Sequence, residues 1–223
     1  MTGAEARGAS GDGAVFVTGA GGSVAPSVGA DFLALGRRVV LFDRPGKDAR
    51  VVERLPRFAS DVAAGDLFVR GVDLASEGVV TSAFAEAEER AGHCQSLINM
   101  AGGFSMAPAA SATAGDLEAM LDVNLRSAVN ATRAVLPGML ERGAGFVLAV
   151  GAGAALAPSP GKTAYAAAKA AVAAYFGSLA AEVGTRGVTV AVLHPMGTID
   201  TPANRDAMPD ADPAAWIAVD AVV

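Results

Sequence analysis

The chain has 223 residues, 52% of them hydrophobic, 18% charged and 5% aromatic, with a formal net charge of −6. That length suits one large α/β domain, which buries a core without metal or disulfide staples. The single cysteine, Cys94, cannot close an internal disulfide and fits a reducing compartment. The acidic balance argues against a nucleic-acid groove, which needs clustered Lys and Arg. No basic cluster marks an anionic membrane surface. No uninterrupted apolar run reaches the roughly 18 residues of a membrane span.

Residues 1–12 are mostly Gly, Ala and Ser, with Glu5 and Arg7 interspersed. They lack the apolar segment of a signal peptide and read as a disordered arm. Residues 13–223 then form a single domain of a cytoplasmic protein.

An apolar strand is expected at 14–18, running directly into Gly19-Ala20-Gly21-Gly22-Ser23-Val24-Ala25 and a helix at 26–35. Small residues at such a turn let backbone N–H groups approach a pyrophosphate, and the helix N-terminus adds partial positive charge. A glycine cluster alone also arises as a tight turn. The second strand, 38–42, ends at Asp43, where a carboxylate can accept hydrogen bonds from adenosine ribose hydroxyls and would repel a 2′-phosphate. NAD(H) is therefore favoured, while the adjacent Arg44 keeps NADP(H) open.

Further strands are expected at 67–72, 96–100, 145–150 and 188–193, and helices at 77–91, 116–141 and 162–183, with 107–115 as a loop. Most of the strands are apolar at nearly every position, as when helices cover both faces. Alternation of strand and helix means a Rossmann-like, doubly wound parallel sheet in three layers, α/β/α, with right-handed crossovers.

Tyr165-Ala166-Ala167-Ala168-Lys169 opens the last helix. A spacing of four sets both side chains on one helical face. An ammonium there would lower the phenol from about 10 towards neutrality and make it a general acid or base. Tyr and Lys four apart also occur on solvated helices.

Taken together, the residues resemble the short-chain dehydrogenase/reductase family over about 13–220. The matching pieces are Thr18-Gly19-Ala20-Gly21-Gly22, Asp73-Leu74, Asn99-Met100-Ala101-Gly102, Asp122-Val123-Asn124-Leu125, Tyr165 with Lys169, and Pro195 and Thr201. The resemblance implies hydride transfer with a nicotinamide cofactor at the carboxyl ends of the strands. It assigns proton transfer to Tyr165, cofactor-ribose binding and tuning of Tyr165 to Lys169, and a proton-relaying water to Asn124. Gly19, Gly21, Gly22, Ser23 and Val24 would hold the pyrophosphate, and Asp73 and Leu74 would contact adenine. Asn99, Ala101, Gly102, Pro195 and Thr198 would line the cofactor trough.

Two departures stand out. Ser23-Val24-Ala25 occupies the stretch of a third family glycine, with Ala25 still small enough for close packing. The family's catalytic Ser lies thirteen residues before the Tyr, and here that position is Ala152. One branch shares this alanine. Gly151 to Leu156, Pro160-Gly161, and Asp200-Thr201-Pro202-Ala203-Asn204-Arg205 with Met208 to Asp212 and Trp216 resemble dihydropteridine reductase. That resemblance implies NADH and a small cyclic imine-type substrate. Asn99 to Gly102 and Asp122 to Asn124 follow the wider family more closely. A general carbonyl or 3-oxoacyl reductase therefore stays open, as does a nucleotide-sensing protein that has lost catalysis.

His93 and Cys94 lack further ligands at metal spacing, so no metal is expected. His194 is either a packing residue or a neighbour of the nicotinamide. Met208 and Trp216 form either an apolar lid or part of the core cover. The charge run 86–90 reads as a solvated helix face. Segment 162–183 is Ala-rich around its whole circumference, as in a buried helix, and in the family its counterpart packs across a two-fold axis; a homodimer or homotetramer is expected. Family members typically continue through another helix and an edge strand after the Trp216 region.

Overall fold

The computed structural model describes residues 13–47, 51 and 57–222. The expected arm at 1–12 lies outside them. Strands β1 (Ala14–Thr18), β2 (Val39–Asp43), β3 (Leu67–Gly71), β4 (Cys94–Asn99), β5 (Gly145–Val150) and β6 (Val188–Leu193) form one parallel sheet in the order β3-β2-β1-β4-β5-β6. Helices α1 (Ala25–Ala34), α2 (Arg57–Ala64), α3 (Glu77–Ala91), α4 (Ala114–Leu121), α5 (Ser127–Arg142), α6 (Thr163–Val183) and α7 (Pro202–Ala207) complete the Rossmann-like arrangement.

Alternation along each strand sends side chains to two cores. Phe16, Phe42, Leu97 and Val147 face α3, α5 and α6, where they meet Phe84, Val135, Met139 and Phe176. Phe42 stacks on Phe84 with ring centroids 4.1 Å apart, and Phe16 meets both edge-on. Val15, Val17, Leu41 and Ile98 face α1 on the other side. Beyond α1, Phe146, Leu148, Val150 and Leu193 line an open apolar furrow of about 280 Å³ with Leu35 and Val222.

Register sets the functional edge. Thr18 pairs with Phe42 and Asn99, Asn99 with Ala149, and Val150 with Leu193. The carboxyl ends therefore stand side by side, and the crossovers reverse between β1 and β4, where α/β sheets leave a crevice.

Several boundaries differ from the expectation. The long helix expected at 116–141 is three pieces: α4, a π-helical turn over Asp122–Arg126, and α5. The Ser127 N–H donates to the Asp122 carbonyl, five residues back, so the helical repeat continues while one residue is squeezed outward. Strand β4 begins at Cys94, buried in the core, rather than at 96. The short helices α2 and α7 were not expected. α6 is not buried all round: Ala168, Val172, Phe176, Leu179 and Val183 form one buried stripe, while Ala167, Ala170 and Ala174 are exposed. Its few large side chains are enough for only one packed face.

Candidate active site

The sheet's carboxyl edge carries the glycine-rich loop. Gly19 has φ +76°, and a Cβ there would lie 2.7–2.9 Å from the backbone of Met100 and Ala101. Only glycine lets β1 and β4 approach this closely. The same junction is tied by Thr18, whose Oγ1 accepts from the N–H groups of Met100 and Ala101, both at 3.1 Å. A Cβ at Gly21 would collide with the Asp43 carboxylate. Asp43 is buried, with Oδ1 accepting from the Arg44 N–H at 2.8 Å. Gly22, Ser23 and Val24 complete the turn, and α1 begins without a side-chain cap. A cradle of small residues beside a carboxylate at the end of β2 fits a dinucleotide.

Across the crevice, Asp73 is exposed and its Oδ1 accepts from the Ala75 N–H at 3.0 Å, an Asx turn. Leu74 is buried, and its carbonyl accepts from Asn130 Nδ2 at 3.0 Å. Asn130 is a site-building residue that the motifs did not single out, and Thr18, though part of the glycine motif, ties β4 in a way the motif did not reveal. Both are buried polar groups with a stated partner, a property of packing.

Asn99 differs from expectation. Its side chain is 3% exposed and Nδ2 donates to Thr132 Oγ1 at 3.1 Å, while Oδ1 is buried without a partner. The amide thus points into the α5 layer rather than the trough. Ala101 and the exposed Gly102 follow it at the crevice. Asn124, in the π-turn, is 2% exposed. Its Nδ2 donates to the carbonyls of Gly103 and Met120 at 3.0 Å, and its Oδ1 accepts from the Gly103 N–H at 3.3 Å. The Asn124 side chain thereby clamps the loop at Gly103.

A cleft of about 390 Å³ opens beyond β5 and β6, with Tyr165 and Lys169 in its lining beside Ala152, Pro195, Thr198 and Met208. Lys169 is 6% exposed, and its Nζ donates to the Val150 carbonyl at 2.7 Å. Burial lowers this ammonium from 10.5 to about 8. Burial likewise raises the Tyr165 phenol above 10. This corrects the expected fall towards neutrality. The Lys169 ammonium is turned to the Val150 carbonyl and lies 6.0 Å from the Tyr165 ring centre, and desolvation of the phenolate prevails. Phe104 meets the Tyr165 ring edge-on, 5.0 Å between centroids.

Ala152, buried at the cleft wall, presents a methyl at the position of the family's hydroxyl. Its carbonyl oxygen lies 3.2 Å from His194 Nδ1, and that ring packs on Gly151, where a Cβ would lie 2.5 Å from Nδ1. His194 therefore packs behind the cleft wall. Met208 lines the cleft, whereas Trp216 does not. Glu86 pairs with Arg70 and Arg90, both at 3.1 Å on the surface. Among the described residues no group of three or more His, Cys, Asp or Glu could hold a metal, and no helix is long and apolar enough to cross a membrane.

Fold and crevice define a doubly wound α/β domain whose glycine cradle fits a dinucleotide. Residues 13–212 match the short chain dehydrogenase family, and the chain belongs to it. The short-chain reductase protein NovJ of Streptomyces niveus is 35% identical over 189 residues, 84% of this chain and 69% of NovJ. The NADP-dependent 3-hydroxy acid dehydrogenase YdfG of Shigella flexneri is 31% identical, over 80% of this chain and 68% of that one. A gluconate 5-dehydrogenase of Burkholderia cenocepacia, solved with NADP and tartrate, superposes with a TM-score of 0.82 at 26% identity, covering 93% of this chain and 84% of the other. The chain spans from 56% to 69% of the length of the first curated relatives it matches.

Proposed function

We propose that the protein is an NAD(P)(H)-dependent oxidoreductase acting on a small carbonyl or alcohol. The observation that carries this reading is the convergence of Tyr165 and Lys169 on one cleft at the carboxyl edge of the sheet that also carries the glycine cradle. When bound, the nicotinamide supplies or accepts a hydride. Residues 19–24 and Asp43 would hold the adenosine and phosphate portion, with Asp43 favouring NAD(H) by repelling a 2′-phosphate. In reduction, Tyr165 Oη would deliver a proton to the carbonyl oxygen while its carbon receives the hydride; oxidation reverses both transfers. A phenol kept protonated by burial suits the acid role. Lys169 would hold the cofactor ribose, and Asn124 would fix the loop that shapes the cleft.

The methyl of Ala152 favours a second reading. A polarised cyclic imine such as a quinonoid dihydropteridine accepts hydride with less help from a hydroxyl than a ketone does. Dinucleotide titration followed by turnover separates these readings. Oxidation of reduced dinucleotide by quinonoid dihydrobiopterin, but not by acetoacetyl thioesters, supports the imine; the converse supports the carbonyl. Tight binding without any turnover identifies a nucleotide sensor, and absence of binding overturns every version. We also read the exposed small-residue face of α6 as an intersubunit surface of a homodimer or homotetramer; a monomer in sedimentation at micromolar concentration contradicts it.

A further inference from the structure

The polar groups lining the cleft are few, and most are already engaged. Ser159 Oγ donates to the Ala157 carbonyl at 3.3 Å, Asn204 Nδ2 to the Ile199 carbonyl at 2.8 Å, and Lys169 to Val150. Asp200 is outside the lining and is held by Arg205 through two bonds of 2.6 and 2.7 Å. One charged group remains. Lys162 lines the cleft, half-buried, and among the described residues no carboxylate lies within ion-pair distance of its Nζ. Its ammonium sits 5.4 Å from the Phe104 ring centroid, and Phe104 in turn stands edge-on to Tyr165. No Asp or Glu lines the cleft, although the chain carries a net charge of −6.

We propose that Lys162 is the substrate-recognition cation of this cleft, and that the substrate is a short oxo acid or the matching hydroxy acid. The carboxylate pairs with Lys162 while the reacting carbon lies at Tyr165. An acid-free, cation-bearing cleft on an acidic protein selects an anion over its neutral counterpart. Phe104 holds the ammonium by a cation–π contact, which restrains the stem without neutralising the charge. The two ring contacts act in series, so the ammonium is no farther from the Tyr165 ring than their combined length. An acid of a few carbons, at about 1.5 Å per carbon–carbon bond, is of a length that this upper bound admits.

This inference rests on the hydride-transfer reading of the same cleft, and the test separates the two. Pyruvate, acetoacetate and levulinate are each assayed beside their methyl esters with NADH and NADPH, after dinucleotide binding has been measured by titration. The expected result is that the acid exceeds its ester in kcat/KM by about tenfold to a hundredfold, as for a charge-assisted hydrogen bond. Lys162→Gln should bring that ratio to within about twofold of unity through KM, and Lys162→Arg should retain the preference. Equal use of acid and ester, an unchanged ratio in Lys162→Gln, or turnover of no acid by protein that binds dinucleotide overturns the proposal and leaves hydride transfer standing. Absence of dinucleotide binding overturns both.

Discussion

Lys169 should destabilise the fold it serves, and this can be measured apart from catalysis. The ammonium is 6% exposed and is lowered by burial from 10.5 to about 8. That fall corresponds to about 3 kcal/mol disfavouring the charged form in the folded protein. Lys169→Met fills the same volume and removes the penalty. It also leaves the Val150 carbonyl without its side-chain donor, which costs about 1–3 kcal/mol. At pH 7 the variant should therefore range from unchanged to about 2 kcal/mol more stable. Between about pH 8 and 10.5 the unfolded chain still binds the proton while the folded chain has released it. Wild-type stability consequently gains on the variant as pH rises, by up to about 1.4 kcal/mol per pH unit. Urea unfolding of both proteins from about pH 7 to about pH 10 tests this. A variant weaker by more than about 2 kcal/mol at neutral pH, or a gap indifferent to pH, would falsify the argument. Turnover of the variant should fall at least about 10²-fold.

Tyr165→Phe should lower turnover by about 10²-fold to 10⁴-fold while dinucleotide affinity, read by titration, stays near wild type. A wild-type minus Tyr165→Phe ultraviolet difference titration of the free protein should show this phenol ionising above pH 10; a step near neutrality contradicts the burial argument. Ala152→Ser returns a donor to the cleft wall and should raise ketone reduction about tenfold or more, whereas an imine-type substrate should respond little. Asp43→Ala should shift the NADH-to-NADPH ratio of kcat/KM at least about tenfold towards NADPH. Asn130→Ala strands the buried Leu74 carbonyl, and denaturant unfolding should show a loss of about 1–3 kcal/mol.

The strands could be read in the sequence because most are nearly all apolar, and β1, β5 and β6 have the expected bounds. The motifs sit on those strand ends, so the sheet register carries them to one edge without further information. Directions were not legible. Asn99 occupies a strand end, but whether its amide enters the crevice or the α5 layer depends on Thr132, thirty-three residues away. The π-turn hides for a similar reason: one extra residue per turn leaves the apolar rhythm of 114–142 almost intact. Helix α7 has six residues and α2 only eight, both shorter than the window of about 11 residues over which a helical period is established.

The Tyr165 phenol shows most clearly where spacing stops informing. Four residues on a helix put Tyr165 and Lys169 on one face, yet the electrostatics follow from what the ammonium bonds. Val150 ends β5, and its carbonyl takes Lys169, while the Gly151 and Gly153 N–H groups donate to the carbonyls of Leu193 and Pro195 at 2.8 and 2.9 Å. With His194 at the Ala152 carbonyl, the segment 150–153 is held from β6 and α6 at once. A wall pinned on both sides has no need of a hydroxyl side chain for its shape, only for its chemistry. Placing a hydroxyl there therefore tests catalysis without rebuilding the cleft, and an Ala152→Ser protein with altered folding stability would show the wall to be less independent than its bonds imply.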